Sequence, residues 1–114
     1  MGETYSTLVV QPIDLIRVFK IDFCLASVIK WLTKWQMDNK VEYLTKANYY
    51  INLCGSDVSD ALFFAIRMFC IVNGFMKDNA STCLLVDVMW DIKHGNRNDA
   101  ANRLNRETWK KKKQ

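Results

Sequence analysis

The sequence predicts an all-α fold, a compact bundle of five to six short helices, and three observations carry that expectation. Apolar residues recur at helical spacing in several segments, strand-like alternation is nearly absent, and the connecting stretches are short and polar. A chain of 114 residues fits one domain. At that length a folded chain buries roughly 65% of its extended surface, enough for a core without disulfide staples. The expected division is an N-terminal arm over residues 1–10, a helical domain over 11–106 and a basic tail over 107–114. Half of the residues are apolar. So many large side chains are hard to bury in one small chain, and a homo-oligomer is expected.

Each element has its own signal. "TLVV" at 7–10 suits a brief extended segment. Pro12 fits the first turn of a helix that continues to Phe19. Asp22 is a good N-cap for the second helix, whose Phe23, Leu25, Val28, Ile29, Leu32 and Trp35 share a face. "QMDNK" at 36–40 reads as a turn. The third helix is expected over 41–54, with Leu44, Ala47, Ile51 and Cys54 on one side and Gly55 stopping it. Ser56 or Asp57 would cap a fourth, "VSDALFFAIRMFCIVNGF", which is apolar nearly all round. Such a helix is either the central core helix or part of a subunit contact. Ser81 opens the fifth, with Leu84, Leu85, Val88 and Ile92 facing inward and Gly95 closing it. A weak last helix is expected around 100–106.

The net charge of +4 resides in Lys110 to Lys113, which account for the whole excess of basic residues. The body is neutral, so overall basicity says little about a nucleic-acid partner, and the tail reads as a solvated, frayed terminus. Cys24, Cys54, Cys70 and Cys83 lie in apolar runs with no C-x-x-C pair, as reduced core residues of a cytosolic protein do. With one histidine, His94, a zinc site is not expected. The start has no basic region followed by an apolar one, and no apolar run approaches the length of a membrane span. A cytoplasmic protein with no membrane association is expected.

No glycine framework cradles phosphate, and one histidine near a helix end makes no Ser-His-Asp arrangement. The pairs Asp57 and Asp60, and Asp87 and Asp91, have the spacing to share a face and hold Mg²⁺. They equally suit a helix start and a solvated face. Basic residues interleaved with rings are a further signal: Lys30, Lys34 and Lys46 with Trp31, Trp35, Tyr49 and Tyr50 fall on two helices joined by a short turn. Ammonium groups pair with phosphate and flat rings stack on bases, so the surface suits a nucleotide. The alternative is that the rings are core and the lysines snorkel past them to water.

The segment "QPIDLIRVFKIDFCLASVIKWLTKWQMDNKVEYLTKANYYI" resembles the SaV-like family of small phage proteins. That family's pattern runs I-E-P-I-D-V-I, L-D-F-x-L-G-N-A-I-K-Y, a basic turn, then D-L-K-K-A-x-W-Y-L. Pro12, Ile13 and Asp14 match it, as do Asp22, Phe23, Leu25, Ile29 and Lys30, and then Leu44, Lys46, Ala47 and Tyr50. The resemblance implies a phage protein in the cytoplasm of an infected bacterium, and some members are described as oligomeric nucleotide kinases without a P-loop. It makes Lys30 and Lys46 candidate phosphate contacts and Tyr50 a residue against the base or the core. The family's early H-P-x-H-Y segment is "ETYSTLVV" here, with Tyr5 as its nearest echo, and G-N is Ala26 and Ser27. An arginine after the lysine helix is replaced by Lys34, and residues 56–114 show no resemblance.

The expected function is therefore a phage nucleotide-binding protein, non-catalytic, sequestering a nucleotide or cyclic nucleotide signal of host defence. Lys30, Lys34 and Lys46 would hold phosphate, with Trp31, Tyr49 or Tyr50 against the base, and no cofactor is needed. The alternative is a nucleoside monophosphate kinase, which would need Mg²⁺ on Asp57, Asp60, Asp87 and Asp91. A third class is an inhibitor that docks on a host protein through its aromatic surface.

Overall fold

In the computed structural model, which describes residues 7–55 and 57–113, six helices follow one another. They are α1 (Pro12–Phe19), α2 (Phe23–Asp38), α3 (Val41–Ile51), α4 (Asp60–Val72), α5 (Leu84–Lys93) and α6 (Arg97–Lys112). No strand occurs among the described residues. No helix is long and apolar enough to cross a membrane.

The helix starts follow local chemistry. The Asp14 carboxylate accepts from the Gln11 amide at 2.9 Å at the start of α1, and the Asp22 side chain accepts from the Leu25 amide at 3.0 Å. The fourth helix begins later than expected: Ser59, not Ser56 or Asp57, accepts from the Leu62 amide at 3.0 Å. Ser56 itself lies outside the described residues. Helix α2 runs three residues past Trp35, because Asn39 takes the left-handed conformation that closes it (φ 56°). Helix α3 stops at Ile51, short of Cys54. Gly74 and Gly95 adopt positive φ just beyond α4 and α5, as their positions in the sequence suggest.

Four helices form an up-and-down bundle. Contacts of Trp31 with Tyr43 and of Phe23 with Tyr50 show that α2 and α3 are antiparallel. Asn48 with Asn105, and Arg97 with the Asn52 carbonyl, place α6 antiparallel to α3. Helix α5 packs between α6 and α2 and closes the ring. The core contains Val28, Ile29 and Leu32 of α2, Leu44 and Ile51 of α3, Leu85, Val88, Met89 and Ile92 of α5, and Leu104 of α6. Polar residues inside α2 are satisfied locally: Ser27 and Thr33 donate to the carbonyls of Phe23 and Ile29, at 2.8 and 2.7 Å.

Two expectations are corrected. Of the two places expected for the fourth helix the central one is not met: α2 packs on α1, α3 and α5, while α4 lies at the side against α5 and α1. Only Leu62, Ile66, Phe69 and Cys70 of α4 are buried, and Phe64 (61% exposed), Met68 (36%) and Val72 (42%) form an open stripe. The last helix begins before residue 100 and extends to Lys112, so it takes in most of the basic stretch. Alanine and leucine at Ala100 and Leu104 give it a narrow buried edge, and the rest is polar.

The expected extended segment at 7–10 contains no strand. Its end is held by one side chain at the close of α4. Asn73 accepts from the Val9 and Val10 amides at 2.8 and 3.1 Å and donates to the Val10 carbonyl at 2.8 Å. Replacing it by alanine leaves three backbone groups without that partner, each net bond being worth about 1 kcal/mol. Asn73→Ala should destabilise the chain by about 1–3 kcal/mol in urea unfolding, with faster amide exchange at Val9 and Val10 and unchanged exchange in α2.

Candidate functional site

Two polar–aromatic features lie near the end of α2, one built around Trp31 and one around Trp35, a turn further along the same helix. The first contains residues singled out by sequence. Lys34, three residues after Trp31, and Lys46, three after Tyr43, face one another across the α2–α3 interface. The Lys34 Nζ lies 5.0 Å from the Trp31 ring centre and 5.7 Å from that of Tyr43. The Lys46 Nζ lies 4.4 Å from the same Trp31 ring, which also stacks on Tyr43 with centroids 5.8 Å apart. Lys34 is only 9% exposed. Two ammonium groups therefore share one indole, whose π surface is already engaged by them and by a phenol.

The other nominated residues are elsewhere. Tyr49 and Tyr50 stand about two turns along α3 from Tyr43 and pack edge-to-face on each other, and Tyr50 packs likewise on Phe23. Lys30 is half-buried, one turn before Lys34 on the same face. Thus Trp31, Lys34 and Lys46 come together, Tyr49 and Tyr50 form a separate cluster, and Phe23 is exposed at 72%, not buried with the face it was expected to share. Tyr5 lies outside the described residues.

The second feature is a cleft of about 430 Å³ between the end of α2, the start of α5 and the outer half of α6. Trp35, Phe75 and Leu84 supply apolar walls; Gln36, Thr82, Asp87, Arg103, Arg106, Glu107 and Lys110 supply polar ones. Its frame is an ion-pair system. Asp91 is 4% exposed and bound by the Arg103 Nε at 2.5 Å, while Asp87 lies 3.7 Å from the same guanidinium and accepts from the Thr82 hydroxyl at 2.6 Å. The hydrogen bond to Asp91 holds the Arg103 guanidinium in its charged form even more firmly than usual.

Other groups in the cleft are left over. The Trp35 Nε1 and Gln36 Oε1 atoms are buried without a protein partner. Arg106 has no hydrogen bond or ion pair among the described residues. Two side chains of the wall thus carry a buried polar atom without a protein partner, and Arg106 adds a cation without one. Buried polar atoms that the protein does not pair are the sites a ligand completes.

Three of the four carboxylates considered for magnesium are otherwise committed, and the fourth, Asp57, is exposed ahead of α4. Asp60 pairs with Lys93 at 2.7 Å, whose hydrogen bond and charge hold its carboxyl below the usual range. Asp87 and Asp91 hold Arg103, so they form no solvated face. No group of three or more potential metal ligands occurs among the described residues. Sequence reading did not find the cleft because its basic residues lie in a segment of low apolar content. The available signal was Arg103, Arg106 and Lys110, which recur at spacings of three and four and so line one side of a helix.

Comparison with family models, curated proteins and solved structures gives no match to this chain. Removing Arg103 would strand the Asp91 carboxylate in the interior, a change that costs about 3–5 kcal/mol when a buried pair is broken. Arg103→Met should destabilise on that scale, reduced by the partial exposure of the arginine. The double variant Arg103→Met with Asp91→Leu should regain most of the loss in chemical denaturation.

Proposed function

We propose that this protein binds a phosphorylated nucleoside without transforming it, in the cleft between α2, α5 and α6. The observation that carries the reading is that the residues lining it include Arg106, without a protein partner, and Trp35 and Gln36, each with a buried polar atom that the protein does not pair. A base lying against Trp35 and Phe75 would offer ring nitrogens to the indole N–H and an amine to the Gln36 carbonyl. Its phosphate would reach Arg106 and Lys110 at the mouth. The resemblance of residues 11–51 to the SaV-like phage family supports the same ligand class, and with it a setting in an infected bacterial cytoplasm. Sequestering a nucleotide or cyclic nucleotide signal of host defence is the role that fits such a binder.

The site differs from the one the lysines of α2 and α3 suggest. At Trp31 a base would have to displace an ammonium group or Tyr43 before it could stack. The non-catalytic reading rests on the carboxylates: Asp60, Asp87 and Asp91 are each engaged by a cation, which leaves the kinase alternative with Asp57 alone and no free acidic pair for Mg²⁺.

Titration calorimetry with mononucleotides and cyclic dinucleotides tests the proposal. Binding should be saturable, and Arg106→Ala should weaken it about tenfold or more, since a hydrogen bond to a charged group contributes about 1.5–3 kcal/mol. Lys46→Ala should leave affinity unchanged. Loss of affinity in Lys46→Ala alone would move the site to α2 and α3, product formation would favour the kinase, and silence with every ligand would end the nucleotide reading.

The open stripe of α4 favours a second property, assembly with another copy of the chain. Phe64, Met68 and Val72 repeat every four residues, and the flanking charges are engaged, Asp60 by Lys93 and Arg67 by the Asn79 carbonyl. A second copy could cover this face without burying a charge that lacks a hydrogen bond. Light scattering should give a dimer mass for the wild type and a monomer for Phe64→Glu. A monomer in both would leave the face to a different partner, such as a host protein.

A further inference from the structure

The excess positive charge of the chain is concentrated at one end of the bundle. Lys110, Lys111 and Lys112 form the last turn of α6, and Lys113 caps it. Trp109 is 60% exposed, and the four lysines after it are exposed as well. Lys111 lies about two turns after Leu104, on the edge that is buried earlier in the helix. Its exposure shows that this turn runs past the core. After Leu104 the cations Arg106 and Lys110 to Lys113 accompany a single carboxylate, Glu107. The Asn48–Asn105 contact places the same turn at the level of the start of α3, where Lys40 is also exposed.

We propose that this basic end is a docking surface for single-stranded nucleic acid, with the lysines on phosphates and Trp109 stacked on a base. Helix polarity alone does not call for so much charge. The backbone dipole at a helix end amounts to about half an elementary charge, and the lysines of this turn exceed it severalfold. Few protein groups offset them. Lys110 lies 3.7 Å from Glu107, and the Lys113 Nζ lies 4.1 Å from the Trp109 ring centre. Lys111 and Lys112 have no ion pair among the described residues. Ammonium groups three and four residues apart repel one another on a helix, and a string of phosphates relieves that repulsion.

The surroundings of the lysines select among polyanions. Past Leu104, Trp109 is the one large apolar side chain of α6, which leaves no apolar face to enter a lipid surface. The Trp31 ring is shared by two ammonium groups and Tyr43, whereas Trp109 meets one lysine and keeps most of its surface open. Bases in a duplex are stacked on each other, and an unpaired strand offers them to an indole. Lys111, Lys112 and Lys113 do not line the cleft, so this inference does not depend on the nucleotide reading.

The test is fluorescence anisotropy of the full chain with a labelled oligothymidylate of about 16 nucleotides. With about four phosphates neutralised, log affinity should fall against log salt with a slope of about −3. The combined change Lys111→Gln, Lys112→Gln and Lys113→Gln should make that slope shallower by about 2. Mononucleotide affinity in the cleft should be the same in that variant as in the wild type. Trp109→Ala should weaken oligonucleotide binding about tenfold and keep the slope. All four side chains are exposed, so both variants should melt like the wild type. Absence of binding at low salt, a slope indifferent to the three glutamines, or full affinity in Trp109→Ala would overturn the proposal. So would equal affinity for the oligothymidylate–oligoadenylate duplex, equal competition by oligoglutamate, or binding to phosphatidylserine vesicles alone.

Discussion

The carboxylate of Asp91, set in the interior on α5, requires a cation that travels with it into the protein. Charge in a medium of low polarizability is strongly unfavourable unless it is paired and hydrogen-bonded. Arg103 meets that requirement, and in doing so fixes where α6 lies. The helix has little else to dictate its position, because Ala100 and Leu104 are its buried residues and the remainder is polar. Once Arg103 is drawn to α5, Arg106, Glu107 and Lys110 fall on the side that faces Trp35 and the start of α5. The cleft is thus a geometric result of satisfying one buried acid.

Much of the fold could be read from residue pattern, for physical reasons that vary by element. Pro12, Asp22, Gly74 and Gly95 act on the backbone within a few residues of themselves, so helix limits near them were legible. The end of α2 was not, since Gln36, Met37 and Asp38 are tolerant of either state and the stop is set by the left-handed Asn39. The status of α4 was illegible for a different cause. Apolar residues on all sides state what a helix would prefer to bury, and only its packing partners determine what it does bury. In this chain α5 and α1 cover one side and nothing described covers the other.

The candidate site was legible only in part. Trp31, Lys34 and Lys46 come together because both partners of each contact lie on α2 and α3, two helices joined by a turn so short that their register is nearly forced. Their union, however, satisfies itself: the rings and ammonium groups occupy one another. The cleft draws on residues 35–36, 75, 82–87 and 103–110, and no local rule links those stretches. Asp87 and Asp91 show the limit well. At a spacing of four they look like a solvated face or a metal pair, and the actual partner is an arginine twelve residues further along the chain.

The manner in which α6 is held has a dynamic corollary. Helices with few apolar contacts and exposed outer turns open locally at lower free energy than the core they cover. The outer half of α6 is of this kind, anchored by Leu104 and by Arg103 at its middle while its lysines face water. Brief detachment of those turns would erase one wall of the cleft and leave the α2–α3 pair intact. Access to Trp35 would then be governed by the breathing of a single helix, and any molecule resident there would slow that breathing by bridging it to the rest of the bundle.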